Sequence, residues 1–229
     1  MVRSRLVRGF LSLLVIACAP MGAAEPPGGW FPFVMSPLDN PGASPVDMSY
    51  LNGGPATRRI LAKDGRFVDE AGERVRFLGV NITFAGCFPE KEAATKIARR
   101  LAQLGFNVVR FHHMDARDIW LPDQSALDPE KLDRLDWFLH QLKENGVYAN
   151  LNLHVSRTYP GLKEANLPYG YRYGKMVDRF YEPFVVLQEE FASALLDRVN
   201  PHTKLRVADD PAVAFVEMNN ENTLLAMRG

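Results

Sequence analysis

The sequence is poor in cysteine, has no excess of charge of either sign and contains no long apolar run. Two cysteines among 229 residues cannot build a disulfide framework. The 27 Lys and Arg residues balance the 27 Asp and Glu residues. Nucleic acid and anionic lipid, which recruit basic proteins, are therefore not expected as partners. With 47% hydrophobic and 24% charged residues, the composition is that of a globular chain that can bury a core.

The first 24 residues have the pattern of a secretion signal. A basic start is followed by an apolar run over residues 11–19, too short to span a bilayer, which takes about 20 residues. Small residues at 22–24 predict cleavage before Glu25, which makes the mature protein secreted or periplasmic. As an alternative, residues 15–18 resemble a bacterial lipobox, in which Cys18 would carry a lipid anchor. No membrane-spanning segment is expected in either case.

The remaining chain divides into a leader and a domain. Residues 25–59 are rich in Pro and Gly, which predicts an extended segment on the surface. The domain is expected over residues 60–229. It begins with a hairpin around residues 63–72, where Gly-containing turns separate short alternating segments. Cys87 is expected to be a buried small hydrophobic residue.

Apolar strands then alternate with amphipathic helices. Asp128 and Pro129 form the start signal of one helix, and Gly105 and Gly146 end two of them. Such alternation predicts parallel strands joined by right-handed crossovers. The predicted strands are residues 75–81, 107–112, 147–154 and 212–219, and the predicted helices are residues 91–104, 129–146 and 180–199.

Two architectures have this alternation, a doubly wound sheet and a (β/α)₈ barrel. The first strand is not followed by Gly-x-Gly-x-x-Gly, so the dinucleotide-binding sheet loses its main support. Polar residues fall at the carboxyl ends of successive predicted strands, where a barrel gathers its chemistry at one mouth. These are Asn81, Arg110 with His112 and His113, His154, and Asn220 with Glu221. The pattern favours the barrel.

The strand ends also carry a resemblance to a known family. The segments FLGVN (77–81), LGFNVVR (104–110), NLH (152–154) and EMNNEN (217–222) are similar to those of the clan A retaining glycoside hydrolases. Within that clan the resemblance is strongest to the cellulase-like glycoside hydrolase family 5, and it covers about residue 60 to the end.

The resemblance implies a role for each strand-end residue. Glu221 would be the general acid/base, and Asn220 would hold the 2-hydroxyl of the sugar. Arg110 would support the nucleophile carboxylate, and His154 would line the subsite where the bond is cut. His113 and Asn81 are further candidate substrate contacts. The implied substrate is an oligo- or polysaccharide with β-linkages, and no cofactor or metal is implied.

Other interpretations of the same residues remain open. His112, His113, Asp115 and His154 have metal-ligand chemistry, which would suit a metal-dependent α/β hydrolase. Two adjacent His residues on a strand face opposite sides, so both can face the mouth only if the strand has already ended. Glu217 could face the barrel interior or pair with a Lys or Arg. The protein could also be a carbohydrate-binding remnant without catalysis.

The length limits what this sequence can contain. A full barrel takes about 250 residues, whereas only four strands and the three helices between them are predicted here. We therefore expect the N-terminal half of such a barrel. The nucleophile Glu that the resemblance implies at the seventh strand has no counterpart before Gly229, and the isolated half is expected to be inactive.

Overall fold

A computed structural model describes residue 28, residues 46–159, residues 162 and 175, and residues 177–222. The predicted signal segment (1–24) lies outside these residues, as does most of the predicted leader. From residue 46 onward the described residues belong to one compact unit, Ser36–Gly229.

A hairpin forms as predicted, but it covers residues 60–69 rather than 63–72. Strands β1 (Ile60–Lys63) and β2 (Arg66–Asp69) pair antiparallel. The two turn residues, Asp64 and Gly65, both have positive φ (50° and 69°). That combination is the type I′ turn, whose twist matches a tight hairpin and which an Asp-Gly pair favours.

Four parallel strands form the main sheet: β3 (Gly79–Thr83), β4 (Val108–His112), β5 (Tyr148–Asn152) and β6 (Val213–Glu217). Their order in the sheet is their order along the chain. A doubly wound sheet reverses its strand order at a switch point, whereas a barrel adds each strand beside the previous one. The sheet is therefore half of a (β/α)₈ barrel, as the sequence predicts.

A helix follows each of the first three barrel strands: α1 (Lys91–Gln103), α2 (Pro129–Glu144) and α3 (Glu182–Leu196). The Asp128 carboxylate accepts a hydrogen bond from the Glu130 amide (2.8 Å), which confirms the predicted N-cap. The helix predicted over 180–199 is shorter at both ends. Pro183 suits its first turn, and Val199 lies beyond its end and is exposed.

The core lies between the sheet and the helices. Val109, Phe111, Ala149 and Leu151 point from the two central strands towards α1 and α2 and are fully or almost fully buried. Cys87 is part of this core, as predicted. Burial raises the pKa of its thiol to about 12, so the thiol stays protonated and unreactive. No helix among the described residues is long and apolar enough to cross a bilayer.

The first barrel strand starts later than the sequence predicts. Residues 75–81 were expected to form it, but the strand covers residues 79–83. The apolar residues before it serve the hairpin instead, because the Val75 amide donates to the Phe67 carbonyl and Arg74 bridges Val68. Asn81 therefore lies in the middle of β3, and its expected place at the strand end is wrong.

Aromatic residues close the amino-terminal end of the sheet. Phe67 of the hairpin contacts Phe215 of β6 edge-on (5.1 Å between ring centroids), and Phe77 contacts both Phe215 (5.1 Å) and Tyr148 (5.9 Å). Edge-to-face packing of this kind is favourable for aromatic rings. The opposite, carboxyl end of the strands is where the polar residues gather.

The described part of the leader lies against the ends of two helices. The Met48 amide donates to the Gln103 carbonyl (2.9 Å), and the Ala56 amide donates to the Lys143 carbonyl (2.8 Å). The last carbonyls of a helix have no partner within the helix, so these contacts satisfy them. Residues 46–59 include one short 3₁₀ helix, Ser49–Asn52, within this surface segment.

Candidate active site

Polar side chains meet on the face of the sheet opposite the helices, which we call the inner face. Arg110 of β4 binds both carboxylate oxygens of Glu217 of β6, with Nε–Oε1 at 2.8 Å and Nη2–Oε2 at 2.6 Å. Glu217 thus faces the barrel interior and also pairs with an arginine. Both alternatives that the sequence left open for this residue hold at once.

The Arg110–Glu217 pair is supported from the strand between them. Asn150 of β5 donates its amide to Glu217 Oε1 (2.6 Å). Two residues further along the same strand, Asn152 accepts a longer contact from Arg110 (3.5 Å) and contacts His112 Nδ1 (3.1 Å). The hydrogen bonds from Arg110 lower the pKa of Glu217, with a smaller effect from Asn150. Glu217 is therefore held as a carboxylate.

Asn220 joins this network after the end of β6. Its Oδ1 accepts a hydrogen bond from Arg110 Nη2 (2.9 Å), and its backbone amide donates to the His154 carbonyl (2.9 Å). The Lys175 ammonium donates to the Asn220 carbonyl. With Oδ1 bound to a cation, the side-chain NH₂ is the group that Asn220 can offer to a ligand.

Glu221 follows with a left-handed backbone (φ 48°) and an exposed side chain. It lies on the wall of a cleft of about 760 Å³ at the carboxyl end of the strands. The part of the chain that the structure describes does not bury this side chain.

The two histidines at the end of β4 lie side by side because the strand ends between them. β4 stops at His112, and His113 turns into the left-handed region (φ 54°). The two rings are 4.2 Å apart, and His113 Nδ1 contacts the Ser156 hydroxyl (3.0 Å). Burial lowers the pKa of His113, and the neighbouring His112 adds to the effect. The His113 ring is therefore predominantly neutral at pH 7. It lies on the wall of the same cleft as Glu221.

A buried aspartate fixes the loop that follows β5. Asp115 is fully buried, and its Oδ2 accepts hydrogen bonds from the backbone amides of Val155, Ser156 and Arg157 at 2.8–2.9 Å. Three amides on one carboxylate oxygen hold this loop against the loop after β4.

Arg157 adds a second contact between the same loops. Its guanidinium lies 3.7 Å from the ring centroid of Trp120 and donates to the Gln124 side chain (2.9 Å). A cation over an indole face is an attractive arrangement, and more so when it is shielded from water. Ser156 and Arg157 both line the cleft. We call the three hydrogen bonds from the loop amides to Asp115 the Asp115 clamp. Together with the contacts of Arg157, this clamp sets the shape of the cleft wall.

The structure brings together some of the sequence-predicted site residues and separates others. Arg110 and Asn220 are in contact, and His113 and Glu221 share the cleft. His154 is only 2% exposed, and its ring packs edge-on against Phe184 (5.4 Å), so it lies behind the cleft wall. Asn81 lies opposite Arg110 in the sheet register, but the side-chain hydrogen bonds of Arg110 go to Glu217, Asn152 and Asn220.

The metal alternative finds no support in the described residues, which contain no group of three His, Cys, Asp or Glu side chains placed to bind an ion. Asp115, one of its proposed ligands, is committed to the loop amides.

Sequence reasoning missed several residues of the site. Asn150 and Asn152 are two apart in an apolar strand, and this spacing places both on one face. That signal was available in the sequence. Phe84 also lines the cleft, but it belongs to no sequence motif that would identify it as a site residue.

Comparisons with known proteins agree with this architecture. The cellulase model (glycosyl hydrolase family 5) matches residues 68–195, more than half of the chain. The structure is similar to an endo-1,4-beta-mannanase from Rhizomucor miehei (TM-score 0.56, 20% identity, 71% of this chain and 48% of that chain). It is also similar to a glycoside hydrolase family 5 mannosidase from Rhizomucor miehei (TM-score 0.56, 14% identity, 74% of this chain and 50% of that chain).

The chain thus spans about half the length of these solved structures. A search of the curated proteins finds no match. At these identities the structural likeness establishes the fold, and the family match ends before Asn220 and Glu221. The half barrel and the family match together show that this chain belongs to glycosyl hydrolase family 5.

Proposed function

We propose that this chain is the N-terminal half of a retaining glycoside hydrolase that cleaves β-linked glycans, with Glu221 as the general acid/base. The observation that carries the proposal is the placement of Glu221 on the wall of a 760 Å³ cleft, directly after an asparagine held by Arg110. A cleft of this size at the carboxyl end of barrel strands is the usual location of an active site in this fold.

Retaining hydrolysis needs two carboxyl groups about 5–5.5 Å apart. Glu221 would protonate the leaving oxygen in the first step and activate water in the second. Glu217 is a poor candidate for the nucleophile, because both of its oxygens are bound by Arg110 and Asn150. We propose that the nucleophile comes from the other half of the barrel, outside this sequence.

The contacts of Asn220 support its role towards the sugar. Since Arg110 occupies Oδ1, the NH₂ group of Asn220 is available to donate to the 2-hydroxyl of a sugar beside Glu221. Hydrogen bonds at this hydroxyl strengthen in the oxocarbenium-like transition state and contribute several kcal/mol. The role of Arg110 is thus broader than the sequence suggested, because it orients Asn220 in addition to the support that we propose it gives the nucleophile.

Azide rescue in the complete enzyme tests the acid/base role. In Glu221→Ala, a substrate with a very good leaving group should still form the covalent intermediate, since the departure of that group needs no protonation. Water then lacks its base, and the second step slows. Azide needs no base, so added azide should restore turnover and give a β-glycosyl azide of retained configuration.

The control for this experiment is Glu92→Ala, which removes an exposed carboxylate on α1 outside the cleft. It should keep normal turnover and show no azide effect. Absence of rescue in Glu221→Ala, or an α-configured azide product, would remove Glu221 from the acid/base role.

We further propose that the protein acts outside the cytoplasm, on the basis of the signal pattern in residues 1–24. Mass spectrometry of the mature N-terminus tests this. A chain that begins at Glu25 supports secretion, a chain that begins at an acylated Cys18 supports the lipoprotein alternative, and retention of Met1 contradicts both.

A further inference from the structure

An aromatic pair that no motif pointed to lies on the cleft wall. Phe84 follows β3 directly, and its ring lies parallel to that of His113, with centroids 4.4 Å apart and an interplanar angle of 10°. Although one face of the Phe84 ring is covered by His113, the residue remains 47% exposed. The exposed area therefore belongs to the opposite face and the edges of the ring.

Both residues have an unfavourable backbone. The φ angles are 52° at Phe84 and 54° at His113, in the left-handed region where a side chain meets its own carbonyl. A bulky residue there is an outlier, and such strain is found where the surrounding structure enforces it, often at ligand sites. Two left-handed residues whose rings stack on one another give the pair a defined orientation.

The pair shares the cleft with the proposed acid/base. Phe84, His113 and Glu221 all line the same 760 Å³ cavity. The Ser156 hydroxyl contacts His113 Nδ1, which fixes the ring from behind, and the Asp115 clamp holds Ser156 in turn. Phe84 therefore rests on a ring that is itself supported.

We propose that Phe84, backed by His113, is a stacking platform for one pyranose ring of the bound glycan, and so a sugar-binding subsite beside Glu221. The C–H face of a pyranose is apolar and carries partial positive charge, which matches the electron-rich face of an aromatic ring. The identity of the ligand as a glycan rests on the proposed function. Binding at the platform needs no nucleophile, so this chain can be tested as it stands.

Calorimetric binding of cellohexaose and mannohexaose to the full 229-residue chain and its variants tests the platform. Phe84→Ala should weaken binding of at least one of the two sugars about 3- to 10-fold, the size expected for loss of one stacked ring. Phe84→Trp should retain the affinity or raise it. Phe180→Ala is the matched control, since Phe180 is 78% exposed and outside the cleft, and it should bind like the parent.

Phe84→Gly separates a binding role from a packing role. Glycine adopts positive φ without strain, so this variant should keep the melting temperature of the parent or exceed it while binding sugar as weakly as Phe84→Ala. A marked fall in the melting temperature would show that the ring is kept for packing and would overturn the platform.

The outcomes also distinguish the platform from the proposed reaction. Equal affinities of Phe84→Ala and the parent, or no binding of either sugar by the parent, would overturn the platform while leaving azide rescue at Glu221 unaffected. Weakened binding in Phe84→Ala together with a failed azide rescue would support the platform and contradict the acid/base role.

Discussion

The Arg110 guanidinium binds both oxygens of the Glu217 carboxylate across the intervening strand β5, at 2.6 and 2.8 Å. Asn150 on that strand completes the contact (2.6 Å). The Arg110–Glu217 pair and Asn150 thus join three adjacent barrel strands. Arg110 also binds Asn220 at this point. Two parallel hydrogen bonds between a guanidinium and a carboxylate stabilise the pair and also fix the relative orientation of the two side chains. A lysine in place of the arginine could not fix this orientation.

Glu217→Gln should lower the free energy of unfolding by about 1.5–3 kcal/mol at pH 7, the range for hydrogen bonds to charged groups. Because the folded-state pKa of Glu217 is below its ordinary value of 4.5, this contribution is fully present above that value. It is lost as pH falls through the lower folded pKa. Urea unfolding of both proteins between pH 7 and pH 3 should therefore show the two stabilities converging in acid.

Glu92→Gln provides the matched comparison, because Glu92 pairs with Lys96 on the exposed surface of α1 at the same 2.6 Å distance. Its loss of stability should be clearly smaller than that of Glu217→Gln. Equal losses of stability in the two variants would show that the Arg110–Glu217 pair stabilises the fold no more than an exposed ion pair does.

Asp115→Ala should release the loop after β5. Removing the carboxylate leaves three amides without their acceptor, so we expect a loss of at least about 3 kcal/mol. Asp115→Asn keeps one accepting oxygen and should lose less. Hydrogen exchange is the specific readout, since the amides of residues 155–157 should lose protection in Asp115→Ala while that of Leu151 in β5 keeps it. Unchanged protection at residues 155–157 would contradict the clamp.

Cys87 should resist thiol reagents in the folded protein. Its side chain is fully buried and its pKa is raised to about 12, so almost no thiolate forms at pH 8. In a Cys18→Ser variant, where Cys87 is the single thiol, labelling by iodoacetamide at pH 8 should be slow until denaturant unfolds the chain. Rapid labelling without denaturant would show that the core around Cys87 opens.

Residues 25–229 expressed alone should not hydrolyse β-glucan, mannan or an aryl β-glycoside above background. If the nucleophile lies outside this sequence, as we propose, Glu221 can offer only general acid catalysis, typically 10² to 10⁴-fold. Reducing-sugar and chromogenic assays measure this directly. Robust turnover that Glu221→Ala abolishes would mean that another carboxylate in this chain has taken the second role.

Elements with a local cause were predictable from the sequence. The Asp128–Pro129 start of α2 forms as expected. The Asp64–Gly65 turn lies within the segment predicted to form a hairpin, and both features depend on neighbouring residues alone. The predicted bounds of the first barrel strand include Phe77, which lies before the strand. Its apolar ring packs against other aromatic rings. These are Phe67 of the hairpin and Phe215 of β6, and Phe215 is distant in sequence.

The candidate site shows the same division. The sequence indicated Arg110 and Asn220 but left the partner of Glu217 open, because the pairing depends on the strand order, which places β4 and β6 on either side of β5. The sequence predicts His154 in the substrate subsite, and in the structure its side chain is almost fully buried, with its ring packed against Phe184. The φ angles of Phe84 and His113 are positive because of how two loops meet, and neither residue type predicts this backbone conformation.

The sequence by itself determined the alternation of strands and helices, the buried Cys87 and the polar residues of the strand ends, since hydrophobic periodicity and capping act within a few residues. Only the tertiary structure decided that Arg110 holds Glu217 and Asn220, that Asp115 binds three loop amides, and that Phe84 rests on His113. These contacts join residues 29 to 110 positions apart. They exist because sequential parallel strands bring their carboxyl ends to one edge, and chain distance has no influence there.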